Sequence, residues 1–166
     1  GGGADCGEIS RVSEATVRAG IKSTIEGVAN VGVVHDYERW AADWSAYLDL
    51  FKTTIGSSDV IRGWTITCQN FPQEQYTFGG GAGGRGSIKR SYGYKIRGYF
   101  GLDDSAASEK VAMVVVEDVV EAFDVEFDSS TQVSNLPASL DVFEPRLFGD
   151  VLCHYAEISL GVTELR

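Results

Sequence analysis

The chain has 166 residues, 43% hydrophobic and 23% charged, the size and balance of one globular domain that buries a core without disulfides or metal. Its formal net charge of −10 disfavours tight nucleic-acid binding by counterion release, yet suits a surface past which DNA slides, because like charges repel. Three cysteines (Cys6, Cys68, Cys153) without C-x-x-C spacing, and only His35 and His154 as histidines, argue against a disulfide framework, a zinc knuckle or a His-rich metal site and fit a reducing compartment.

In chain order, Gly1-Gly2-Gly3-Ala4-Asp5 has neither the basic n-region nor the apolar h-region of a signal peptide, and residues 1–9 are expected to be irregular. Val17, Ile21, Ile25 and Val28 predict a helix from about Ser10 to Val28, with Ser10 as N-cap and Gly27 and Asn30 ending it. β-Branched Val31, Val33 and Val34 predict a short strand to His35. Trp40, Trp44, Tyr47, Leu48 and Phe51 then recur at helical spacing, a predicted aromatic core stripe with Asp36 as its cap.

Gly56-Ser57-Ser58-Asp59 breaks that pattern, and alternation predicts a strand from Val60 to Asn70, with Gly63 marking a bulge. A second alternating run extends from Ile88 to Leu102, where Ile88, Tyr92, Tyr94, Ile96 and Phe100 interleave with Lys89, Ser91, Gly93, Lys95 and Arg97. The glycine-rich stretch between them predicts a long hairpin with a flexible tip at 79–87. Asp103 to Ser108 reads as a polar turn and Glu109 to about Asp124 as a helix, with Val116, Val120, Phe123 and Phe127 on one face and Glu117, Glu121, Asp124 and Asp128 on another. Ser129 to Ser134 is an expected loop, Leu136 to Leu147 gives no clear pairing pattern, and Val151 to Val162 is a final strand. The order α-β-α-β-β-α-β-β predicts a single α+β domain over 1–166, a mostly antiparallel sheet with a long hairpin packed against two to three helices. No apolar run approaches the ~20 residues of a membrane span, so no membrane partner is expected.

The glycines spell G-x-G-x-x-G from Gly81 through Gly83 to Gly86. A dinucleotide fingerprint needs a helix directly after it, and here an alternating strand pattern follows. A P-loop needs Lys where Ser87 stands, and Lys89 comes too late. No cofactor is therefore expected. Cys153-His154 is no catalytic dyad if it lies in a strand, where adjacent side chains point to opposite faces. The four acids Glu117 to Asp128 lack the Glu-x-x-His pairs of di-iron bundles and read as a solvated helix face. No metal site and no catalytic constellation is expected.

Charge is segregated. Leu102 to Asp150 carries twelve acids against two bases, whereas the rest of the chain balances. Arg85, Lys89, Arg90, Lys95 and Arg97, with Tyr92, Tyr94 and Tyr99 among them, form an acid-free basic flank. Three readings fit: a clamp for single-stranded nucleic acid, a solvated hairpin face, or one half of a head-to-tail contact between copies that meets the acidic stretch of the next. On the last reading Gly81, Gly83, Arg85, Lys89, Arg90, Lys95 and Arg97 form a subunit or ring interface, and Glu117, Glu121, Asp124 and Asp128 the acidic partner or lumen face.

The succession "VANVGVVHDYERW", "VIRGWTITCQN", "YGYKIRGYFGL" and "VFEPRLFGDVLCHYAEISLGV", with a helix before the first and another ahead of the last, resembles tail-terminator (neck) proteins of long-tailed bacteriophages across nearly the whole chain. The resemblance implies an α+β subunit of a hexameric ring that ends polymerisation of the tail tube. It also implies as partners a tail tube protein and a head-side connector or stopper, genomic DNA passing the lumen without specific binding, and a place in the virion after assembly in the host cytoplasm. It brings no catalytic residues. Related neck and tail-tube rings, including head-closure proteins, are the nearest alternative; a nucleotide-binding enzyme and a single-strand-binding accessory protein stand further off.

Overall fold

The structure, a computed structural model, describes residues 12–77, 86–125 and 133–165. The elements run α1 (Glu14–Glu26), β1 (Val33–His35), α2 (Trp44–Asp49), β2 (Lys52–Ile55), β3 (Ser58–Asn70), β4 (Gln73–Gln75) and β5 (Ile88–Gly101). A 3-10 turn at Asp104–Ala106 leads to α3 (Ser108–Glu121), β6 (Val133–Asn135), β7 (Ser139–Phe148) and β8 (Val151–Leu165). The fold is the expected α+β class: one curled, mostly antiparallel sheet of eight strands with three α-helices among the described residues.

The long strands β3, β5 and β8 form the middle of the sheet, paired antiparallel in that order. β1 adds to β3 in parallel, with Val34 opposite Trp64. β4 continues along β5 beyond the end of β3, and β7 and β6 share the outer edge of β8. Alternation places Tyr92, Tyr94, Ile96 and Phe100 of β5 with Ile158, Leu160 and Val162 of β8 in one buried layer. Val17, Ile21 and Ile25 of α1 and Ala112, Val115, Val116 and Val119 of α3 complete that core. Each large side chain so buried contributes about 1.5–3 kcal/mol. Trp64 is fully buried and its Nε1 donates to the Val31 carbonyl at 3.0 Å. Its ring lies over Gly98, where an added Cβ would come within 2.8 Å of it.

Several expectations need correction. Ser13, not Ser10, caps α1, its side chain accepting from the Thr16 amide; Ser10 itself lies outside the described residues. α2 is only six residues long and is capped by Asp43 rather than Asp36. Of its stripe, only Phe51, just past the helix, is fully buried. The Gly56 break is the tight turn of a β2–β3 hairpin: Ile55 pairs with Ser58, and Gly56 takes φ +64°. Gly63 keeps regular register, and the bulge falls at Cys68–Asn70. Glycine is needed at 63 because the Phe51 ring would stand 2.6 Å from a Cβ there. Val133 and Ser134, the end of the expected loop, belong to β6, and the segment after Pro137 without a clear pairing pattern is β7.

Candidate functional site

The second face of the sheet is built on different chemistry. Lys95 and Arg97 of β5 project there beside Glu157 and Ser159 of β8 and Asp141 of β7, as strand register requires. Lys95 Nζ lies 2.6 Å from Asp141 and 3.0 Å from Glu157, and Arg97 Nε lies 3.4 Å from Glu157. Arg97 also donates to Thr67 Oγ1 at 3.1 Å, Tyr155 donates to Glu157 at 2.7 Å, and Ser159 donates to Asp141. The Tyr155 hydroxyl, then Lys95, holds the Glu157 carboxyl below its ordinary range; Lys95, then Ser159, does the same for Asp141.

At one end of this face α2 lies over a smaller apolar cluster of Phe51, Phe148 and Cys153, with Tyr47, Leu48 and Tyr99 against it. Beside the cluster opens a concavity of about 660 Å³, lined by Arg18, Glu38, Thr67, Gln69, Arg97, Tyr99, Arg146 and Tyr155 among others. The Arg146 guanidinium sits 3.9 Å over the Tyr155 ring, a cation–π contact. Burial pushes the Tyr99 hydroxyl up to about 12, with smaller contributions from Tyr155 and Tyr47. Each lining arginine has a carboxylate neighbour as well: Arg18 has Glu14 at 2.7 Å and Arg146 has Glu144 at 2.5 Å. Such partly exposed pairs are worth little and exchange readily.

Leu147 of the β7–β8 turn lines the concavity, and Trp44, packed on that turn, gives it an aromatic rim. Trp40 is 78% exposed, Trp44 57% and Leu147, at the β7–β8 turn, 75%. Tyr37 is exposed too, with Arg39 stacked over its ring at 5.2 Å. Trp44 meets that turn at Gly149, whose φ of +64° favours glycine and where a Cβ would lie 3.1 Å from the indole. The segment is anchored beneath by His35, whose Nε2 bonds the Leu50 carbonyl at 2.8 Å. Because a carbonyl only accepts, Nε2 carries the proton and Nδ1 is free to accept from Arg39, 3.3 Å away.

The basic flank divides between the two faces. Lys89, Lys95 and Arg97 share the charged face, and Lys89 pairs with Glu74 at 3.2 Å. Arg90 turns the other way, bonding Tyr92 Oη at 3.2 Å and Gln73 Oε1 at 3.0 Å beneath Phe71. Glu117 and Glu121 of α3 and Asp124 just past its end are exposed, and none is in an ion pair among the described residues. Gly81, Gly83, Arg85 and Asp128 lie outside the described residues. The glycine stretch is closed at its base, where the Thr77 and Tyr76 amides donate to the Ser87 carbonyl. Strand β5, not a helix, follows it.

Cys153 and His154 point to opposite faces as expected. Cys153 is buried against the apolar cluster, and burial pushes its thiol up to about 11. His154 Nε2 and Ser108 Oγ are hydrogen-bonded at 2.9 Å, and Phe143 stacks on the ring at 5.8 Å. Among the described residues no group of three or more His, Cys, Asp or Glu side chains is placed to hold a metal ion, and no helix is long and apolar enough to cross a membrane.

Sequence reasoning missed Arg18, Arg146 and the rim. Arg18 and Arg146 are isolated bases in the sequence, while Trp40 and Trp44 were hidden in a pattern that reads as core. No protein-family model matches the chain, and no curated protein matches it.

Proposed function

We propose that this protein is a self-assembling structural subunit, a tail terminator that forms a ring at the head-proximal end of a phage tail tube. The observation that carries the proposal is the set of large side chains left out of a well-packed core: Trp40, and, at a concavity lined by arginine and tyrosine, Trp44 and Leu147. Tryptophan, tyrosine and arginine are the residue types that dominate binding energy at protein interfaces. A contiguous exposed group of them marks a contact surface.

The choice of terminator rests on the resemblance in element order, which favours a hexameric ring between a tail tube protein and a head-side connector. The acidic excess suits a lumen through which DNA passes without being held. Nucleotide chemistry has less support, since β5 rather than a helix N-terminus follows the glycines. Single-strand binding has less support too, since Lys89, Lys95 and Arg97 all face carboxylates of their own subunit.

The test is negative-stain imaging of the purified protein together with particles assembled without it. Rings, and headless tails of uncontrolled length in the depleted particles, are the expected result. A monomer at every concentration and normal tails joined to heads would overturn the proposal.

A further inference from the structure

We infer that the arginine-lined concavity and its aromatic rim receive the outer face of α3 from a second copy of this chain. This rests on the self-assembly reading above and names the two surfaces that meet.

The outer face of α3 is the first reason. Val111, Val114, Asp118 and Glu121, with Val125 just past the helix end, recur at helical spacing on the side away from Ala112, Val115, Val116 and Val119. Val111, Val114 and Val125 are all exposed. A helix with an apolar stripe on both sides is one that an assembly covers twice. The carboxylates in and beside this second stripe have no ion-pair partner among the described residues.

The rim and concavity match that stripe in both respects. Trp44 and Leu147 offer apolar surface for the valines. Arg97 and Arg146 offer guanidinium groups whose own partners, Glu157 and Glu144, are partly exposed. Carboxylates of an incoming helix therefore meet donors suited to two-pronged pairing.

Topology decides how the surfaces meet. α3 packs on the Tyr94–Ile96–Ile158–Leu160 face of the sheet, whereas Arg97, Tyr99 and Tyr155 project from the other. One copy cannot bring them together, so the contact joins two copies, and repeated head-to-tail it closes a ring or extends a filament.

Reciprocal charge reversal tests this. Variant one carries Arg97→Glu and Arg146→Glu; variant two carries Asp118→Lys and Glu121→Lys. Each alone is expected to self-associate about 100-fold more weakly than the natural chain by sedimentation, because like charges then face each other. Mixed in equal amounts they should reassemble, since the acidic concavity of one then faces the basic helix of the other, with strict one-to-one stoichiometry by native mass spectrometry. If the first variant unfolds by circular dichroism, Arg146→Glu alone, half-exposed on an edge strand, replaces it. Variants that assemble like the natural chain, or a mixture that stays dispersed, would overturn this contact while leaving self-assembly standing. A natural chain that never associates would overturn both.

Discussion

The two faces of the central sheet share the same three strands and differ in almost everything else. On the helix-covered face Trp64, Tyr94, Ile96, Ile158 and Leu160 are shut off from solvent by α1 and α3. The fit is close enough that Trp64 leaves no space for a side chain at Gly98. On the other face Lys95, Arg97, Asp141, Glu157 and Ser159 satisfy one another, and beyond them Trp40, Trp44 and Leu147 stay more than half exposed. The first face answers the needs of folding. The second leaves large aromatic and aliphatic side chains in solvent beside a charged network.

Substitutions should separate the faces in that order. Trp64→Ala removes the largest buried ring and the hydrogen bond to Val31 and should cost about 3–5 kcal/mol in urea denaturation; a loss below 1 kcal/mol would show the covered core to be loosely packed. Gly98→Ala forces a methyl group against the indole and should cost about 1–3 kcal/mol. An unchanged midpoint would mean the ring moves aside freely.

On the charged face, Lys95→Met should cost only about 1 kcal/mol near pH 7, as expected for a partly exposed network. Its signature is pH dependence. The folded pKa values of Asp141 and Glu157 are depressed, for Asp141 chiefly by Lys95 and for Glu157 by Tyr155 and then Lys95. Their contribution is thus fully present above the unfolded carboxylate range, above about pH 5, and is lost as pH falls through about 4 and below. Stability measured from pH 6 to pH 3 should fall less steeply in Lys95→Met than in the natural chain. Equal slopes would detach the network from acid stability. Smallest of all, Trp40→Ser should change stability by less than about 0.5 kcal/mol while weakening self-association measured by sedimentation. A marked loss of stability would return Trp40 to the core.

The covered face was legible because its signals are local. Alternation through Tyr92, Tyr94 and Ile96 follows from strand geometry, and Val17, Ile21 and Ile25 follow from helical geometry; both survive in the structure. The helix from Ser108 to Glu121 was also readable: of the face read from spacing Val116 and Phe123 are buried and Val120 half-buried, and Ala112, Val115 and Val119 join them. Where apolar residues occupy most of a helix, spacing alone does not choose the inner side. That ambiguity arises when the outer side is apolar too.

The charged face was only half legible. Lys95 and Arg97 stood out as bases, but Asp141 and Glu157, which neutralise them, lie 46 and 60 residues or more away in sequence and meet them through register alone. The stripe from Trp40 to Phe51 failed for a different reason. Hydrophobic periodicity reports what is to be buried and is silent on whether the cover is this chain or another. Phe51 is covered by its own chain; Trp40 is not.

Sedimentation velocity of the natural chain against concentration, beside Trp40→Ser, tests the division of labour most directly. The expected result is a single large species, several times the 17.9 kDa of one chain, that gives way to monomer in the variant without loss of folded structure. A natural chain that sediments at 17.9 kDa at every concentration would contradict it.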